Sequence, residues 1–300
     1  MQIEEVADAT YCIQTPLPGV AMDFVVYLIR AERGVLIEPG PSATTPAIQE
    51  GMKQLGMNDL SFIIPTHIHM DHAGGVGRLA ELFPHSKVLL NPRGVKHIVD
   101  PTRLIESTRM AFGDDFDSLY GPILPVLESQ VEVPADGDTI NIGDRELKTI
   151  NAPGHAPHHI VIFDQKTKGL FCGEALGTPP SNEGFLPLPA AAPPGFDVDD
   201  YLATIEKLKA FEPQILFYSH SGINREPEKT IPKVSQSTKI FGDLIRKSLM
   251  EGDNEETIKR KIRELGAPYF PREWGEAKLN MCITDMFRGY AMYFQKKGLN

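Results

Sequence analysis

Residues 66–75 read Thr-His-Ile-His-Met-Asp-His-Ala-Gly-Gly and follow directly on the apolar run Ser61-Phe62-Ile63-Ile64. This juxtaposition restricts the fold more than any other stretch of the chain. A short continuous apolar run is the mark of a strand covered on both faces, so the polar segment after it sits at a strand end in a layered sheet. Residues two apart on an extended chain point the same way, and His67 and His69 can address one ion. Asp71 and His72 come where the chain turns toward a helix, and they can address a neighbouring ion. Imidazole nitrogen and carboxylate oxygen suit borderline divalent metals, zinc first, with iron and manganese as alternatives.

Strand signals dominate the first two hundred residues. Phe24–Ile29 and Gly34–Ile37 are β-branched and aromatic runs that read as a hairpin around the polar Arg30–Arg33 segment. A helix is predicted across Pro46–Leu55, ended by Gly56, and another over Gly75–Phe83, with a strand at Lys87–Leu90. This strand–helix–strand alternation predicts a covered sheet in an α/β fold. A helical stretch from Gly94 to Tyr120 interrupts it, and strands return at 131–133, 139–142, 147–150, 159–163 and 170–172. Asp197 suits the cap of a helix over 198–211, and Gln214–Tyr218 reads as a strand. From about Ile231 the pattern is helical and charged. The predicted organisation is a catalytic body over 1–228 and a helical C-terminal region over 229–300.

Three further candidate donors sit at predicted strand ends. They are His155 in Ala-Pro-Gly-His, Glu174 in Phe-Cys-Gly-Glu and His220 in Phe-Tyr-Ser-His. A donor repeatedly placed after a strand is what a site grafted on a sheet edge requires. His159 reads as a residue behind a ligand or facing substrate, His158 as surface, and His85 and His97 as solvated. Cys172 reads as a small core residue.

Acidic residues outnumber basic ones, 40 against 30, for a net charge of −10. Such a chain has no general attraction to nucleic acid or anionic membranes. Its densest basic cluster, Lys259, Arg260, Lys261 and Arg263, neighbours Glu255 and Glu256 and reads as a solvated helix face. Cys12, Cys172 and Cys282 form no CxxC, which argues against a disulfide framework or a thiolate zinc site. The N-terminal residues lack the pattern of a signal peptide, and no apolar run suits a membrane span. The expectation is a cytoplasmic enzyme acting on a small molecule, with no nucleic-acid or membrane partner. Apolar residues at helical spacing in the tail, among them Phe241, Ile245, Ile262, Met286 and Tyr290, suit packing on the body or a homodimer interface.

Over roughly residues 10–225 the chain resembles the metallo-β-lactamase superfamily, through His-x-His-x-Asp-His at 67–72, Pro-Gly-His at 153–155, the acid at 174 and His220. The resemblance implies an αββα sandwich of two sheets flanked by helices, with two metals at one edge. By position, the first metal takes His67, His69 and His155, and the second takes Asp71, His72 and His220. Glu174 bridges them where the family normally has aspartate. Glu38, in Leu-Ile-Glu-Pro-Gly, stands where the family usually has an aspartate that orients a ligand histidine. The implied reaction is hydrolysis by a hydroxide held between the ions, with Asp71 able to accept its proton. No Gly-x-Ser-x-Gly offers a serine nucleophile.

The Asp-His-x-Gly-Gly ending and helical tail are similar to the thioesterase branch, which includes hydroxyacylglutathione hydrolase and PqsE-like proteins. A thioester or other ester is therefore the expected substrate, and Phe185–Pro194 can line an entrance for an apolar acyl chain. Three alternatives stay open. A small phosphodiester suits the same metals. Iron-dependent redox chemistry occurs in the superfamily, although flavodiiron members usually carry glutamate where this chain has His69. A persulfide dioxygenase would leave His72 and His220 idle. The third alternative is a PqsE-like regulatory binding protein that keeps its metals without turnover.

Overall fold

A computed structural model describes residues 2–15, 24–179, 186–271 and 274–299. Phe185, the first residue of the expected entrance loop, lies outside the described residues. The chain divides into two compact units. The first comprises Met1–Asn151, His158–Gly173 and Ile215–Ile223, and the second Ala152–Pro157, Glu174–Gln214 and Asn224–Asn300.

In the first unit, strands β1 (Gln2–Ala7), β2 (Thr10–Gln14), β3 (Val25–Ile29), β4 (Val35–Ile37), β5 (Phe62–Ile64), β6 (Lys87–Leu89) and β7 (Val131–Glu132) form one sheet in chain order. Its first four strands are antiparallel and β4 to β7 run parallel. Helices α1 (Thr45–Gln54), α2 (Met70–Ala73), α3 (Val76–Leu82), α4 (Val95–Val99), α5 (Thr102–Phe112) and α6 (Phe116–Tyr120) fill the connections. The second sheet holds β8 (Thr139–Asn141), β9 (Glu146–Asn151), β10 (Ile160–Asp164), β11 (Gly169–Gly173), β12 (Ile215–Tyr218) and β13 (Gly222–Asn224), in the order β13-β12-β11-β10-β9-β8.

The continuous apolar runs are explained by two separate cores. Val25, Tyr27 and Ile29 of β3, Val35 and Ile37 of β4, and Phe62 and Ile64 of β5 pack on Ile162, Phe171 and Phe217 of the second sheet. Their alternates, Val26, Leu28, Leu36 and Ile63, pack with Ile48 and Met52 of α1 and Val76 and Leu79 of α3. With a period of two, every position in these strands is apolar because each face meets a dry layer. Tyr27 crosses between the sheets and donates its hydroxyl to the carbonyls of Tyr218 at 2.7 Å and Gly222 at 2.9 Å. Val25 N–H adds a bond to Ser219 O at 2.9 Å. The loop that carries His220 is thereby pinned to β3.

The second unit holds α7 (Val198–Lys209), α8 (Pro227–Met250), α9 (Glu255–Gly266) and α10 (Glu276–Lys297). Asp197 caps α7 by accepting from the amides of Asp199 and Asp200 at 3.1 and 3.2 Å. Helix α8 begins earlier than its sequence suggests, with Pro227 in its first turn and Pro232 inside it. Phe241, Ile245, Ile258, Ile262, Met286 and Tyr290 are buried, and Tyr290 donates its hydroxyl to Thr238 O at 2.7 Å. The basic cluster on α9 is neutralised locally: Arg263 pairs with Glu276 at 3.0 Å and Arg260 with Glu264 at 2.8 Å. Among the described residues no helix is long and apolar enough to cross a membrane.

Candidate metal centre

Strand β5 ends at Ile64, and the chain bends through Thr66–His69 before α2 begins at Met70. The bend turns His67 Nε2 toward His69 Nδ1, 2.9 Å away, while Thr66 Oγ1 lies 3.0 Å from His67 Nδ1. The Thr66 contact occupies one ring nitrogen and leaves Nε2 to face its neighbour. His159 is fully buried and stacks on His67, with centroids 4.9 Å apart.

Asp71, His72 and His220 converge in the same unit, with donor atoms within 4.8 Å of one another. Asp71 Oδ2 lies 3.5 Å from His72 Nε2 and 3.4 Å from His220 Nε2. Ligand atoms about 2.0–2.1 Å from a tetrahedral ion stand roughly 3.3–3.4 Å apart, so the two edges that meet at Asp71 have the length of a coordination edge. Burial works against charge on Asp71, but the two imidazoles outweigh it and hold its carboxyl well below the ordinary range.

Behind His72, Glu38 is buried and its carboxylate takes two partners. Oε2 bonds His72 Nδ1, and Oε1 accepts from Thr66 N at 3.2 Å. Glu38 has φ +60°, a left-handed conformation that is uncommon outside glycine, asparagine and aspartate. A carboxylate on one ring nitrogen fixes the tautomer and turns the other nitrogen outward.

In the second unit His155 Nδ1 donates to Ala190 O at 2.8 Å, so Nε2 is the nitrogen that meets Glu174 Oε2 at 2.9 Å. Sequence reasoning gave no role to Thr66 or Ala190. Any residue carries a carbonyl, so Ala190 leaves no signal to find. Thr66 was visible only as the first residue of the motif.

Gly173, at the end of β11, has φ +53°, and a Cβ there would stand 2.5 Å from Thr66 Oγ1 and 2.8 Å from His159 Nε2. Gly173→Ala should therefore cost about 1–3 kcal/mol of stability, measurable by denaturant unfolding, and disturb the Thr66–His67 contact. An unchanged midpoint would mean that Thr66 and His159 yield freely.

Residues 24–220 match the Metallo-beta-lactamase superfamily. The chain belongs to that superfamily. Its fold is the αββα sandwich with a helical C-terminal region. The metallo-beta-lactamase fold-containing protein ST1585 of Sulfurisphaera tokodaii is 25% identical over 56% of this chain and 62% of its own length. Its crystal structure superposes with a TM-score of 0.62 over 78% of this chain and 86% of that one, at 21% identity. The metallo-beta-lactamase family protein TTHA1429 of Thermus thermophilus gives a TM-score of 0.69 at 17% identity, over 97% and 94% of the two chains. A hydroxyacylglutathione hydrolase of Aeromonas hydrophila is 30% identical over 51% of this chain and 47% of its own length. In sequence the chain thus spans less than two thirds of these curated relatives.

Proposed function

We propose that the protein is a metal-dependent hydrolase of thioesters or related esters. Asp71, His72 and His220 would hold a divalent ion, with zinc the expected metal, and His67 and His69 in the same unit are further donors. The observation that carries this reading is the Asp71–His72–His220 triangle with Glu38 behind it. A divalent ion bound there polarises an acyl oxygen and brings the pKa of water toward neutrality.

The chain's own groups do the rest. Contacts at Nδ1 turn Nε2 of His67, His72 and His155 toward their neighbouring donors. The Glu38 carboxylate keeps the His72 ring basic. Asp71, ionised at neutral pH, is placed to take a proton from an attacking water. A thiolate route is disfavoured by the cysteines themselves. Burial pushes the Cys12 thiol up to about 11 and Cys282 to about 12, and raises Cys172 well above the usual range. Cys172 donates its thiol to Phe217 O at 3.2 Å. Hydroxyacylglutathione hydrolases among the relatives support a thioester over a phosphodiester.

The test is to strip the protein with a chelator, reload it with zinc, manganese or iron, and assay thioester, ester and phosphoester panels. Stripping should abolish thioester turnover and reloading should restore it. Full loading without turnover on any panel would favour a regulatory binding protein, and oxygen consumption by the iron form would favour redox chemistry.

A further inference from the structure

Between helices α9 and α10 of the second unit lies a cavity of about 410 Å³, within the size range of small-molecule sites. We propose that it binds a small phosphate monoester, at a site apart from the metal donors and independent of the hydrolase reading. Helix α9 lines the cavity with Glu256, Lys259, Arg260 and Arg263, which the helical spacing of three and four residues puts on one face. Three cations against one carboxylate leave a surplus of two positive charges, which matches a dianion. From α10 come Asn280 and Thr284, also four residues apart, with the buried Ile283 between them. The sequence of α9 alone shows only a basic, solvated face; α10 closes it into a cavity.

The ion pairs of this cluster leave part of its hydrogen-bonding capacity unused. Arg260 gives Glu264 a single nitrogen, Nη1, at 2.8 Å, out of a guanidinium with five N–H donors. Arg263 Nη2 reaches Glu276 at 3.0 Å and Asn280 Oδ1 at 2.6 Å. That second bond takes the oxygen of the Asn280 amide and leaves its nitrogen. Among the described residues neither this nitrogen nor the Thr284 hydroxyl has a hydrogen-bond partner. Glu264 and Glu276 do not line the cavity and are exposed, so their pairs with the arginines are weak and readily screened. Lys259 and Arg263 stand four residues apart on the same face, where like charges repel, and an anion held between them reverses the sign of that interaction. A phosphate monoester suits this set better than a carboxylate. It carries about −1.5 to −2 charge at neutral pH with three strong acceptor oxygens, and arginine meets phosphate through two parallel N–H bonds.

The experiment titrates glucose 6-phosphate calorimetrically into the full chain as purified, with glucose as the neutral control and succinate as a dicarboxylate. Wild type should bind glucose 6-phosphate and not glucose. Its affinity should fall about tenfold in R260Q/R263Q and about threefold in T284V. A phosphate held by the metal donors would bind wild type and both variants alike, and that result overturns the proposal. So does the absence of binding by wild type, or succinate that binds as tightly and depends equally on Arg260 and Arg263. T284V is nearly isosteric and leaves every ion pair of the cluster in place. If the double variant fails to fold, unchanged affinity in T284V overturns the proposal and a threefold loss sustains it.

Discussion

Replacing Asp71 with alanine should remove one of two bound metal equivalents and lower thioester hydrolysis by about 10³-fold. The argument is one of charge. Asp71 Oδ2 is the only anionic donor in its triangle, 3.5 Å from His72 Nε2 and 3.4 Å from His220 Nε2. Two neutral imidazoles alone hold a divalent ion weakly, and the group proposed to accept a proton from the attacking water is lost as well. Every 1.36 kcal/mol removed from transition-state stabilisation is a factor of ten, so losing several kcal/mol of Lewis-acid assistance reaches this size. Asp71→Asn separates the components, since it keeps the shape and loses the charge. Metal content by elemental analysis and kcat on the same preparations decide the matter. Two metals per chain with activity within tenfold of wild type would remove Asp71 from both roles.

What the sequence disclosed follows from how each feature is encoded. Strands β3, β4 and β5 were legible because both faces are buried, which leaves an unbroken apolar run. β1 left no such trace: it is an edge strand whose Gln2, Glu4 and Glu5 are exposed and whose one buried residue is Val6. The first turns of α8 were hidden by Pro232, which removes a backbone donor and reads as a break; the helix tolerates it because packing of Ile231, Val234 and Phe241 outweighs one lost bond. Within the candidate centre, the segment from His67 to His72 was conspicuous because its donors crowd into one local stretch. Main-chain partners such as Ala190 O are invisible to any reading of side chains. His158 read as surface because nothing local announces that its ring reaches the amide of Ile68, 90 residues away in sequence.

Glu38→Gln should weaken metal binding at the Asp71–His72–His220 triangle by about 10- to 100-fold while the melting temperature moves little. Glu38 occupies a left-handed backbone position, φ +60°, at a cost of about 1–3 kcal/mol for a residue with a Cβ. Glycine would sit there without strain, so the carboxylate must contribute something glycine lacks. Its two bonds, to Thr66 N and to His72 Nδ1, tie the strand end of the motif to its helical end. Glutamine retains an oxygen for Thr66 N but removes the negative charge behind His72, so the fold should survive and the ring lose basicity. Glu38→Gly tests the other half: relief of backbone strain is offset by two buried donors left without their acceptor, each worth about 1–3 kcal/mol. Metal titration and thermal melts of both variants separate the contributions. If Glu38→Gln binds metal as tightly as wild type, His72 is oriented by its packing against the His67 ring, 4.0 Å away, and the carboxylate serves the turn at Thr66 alone.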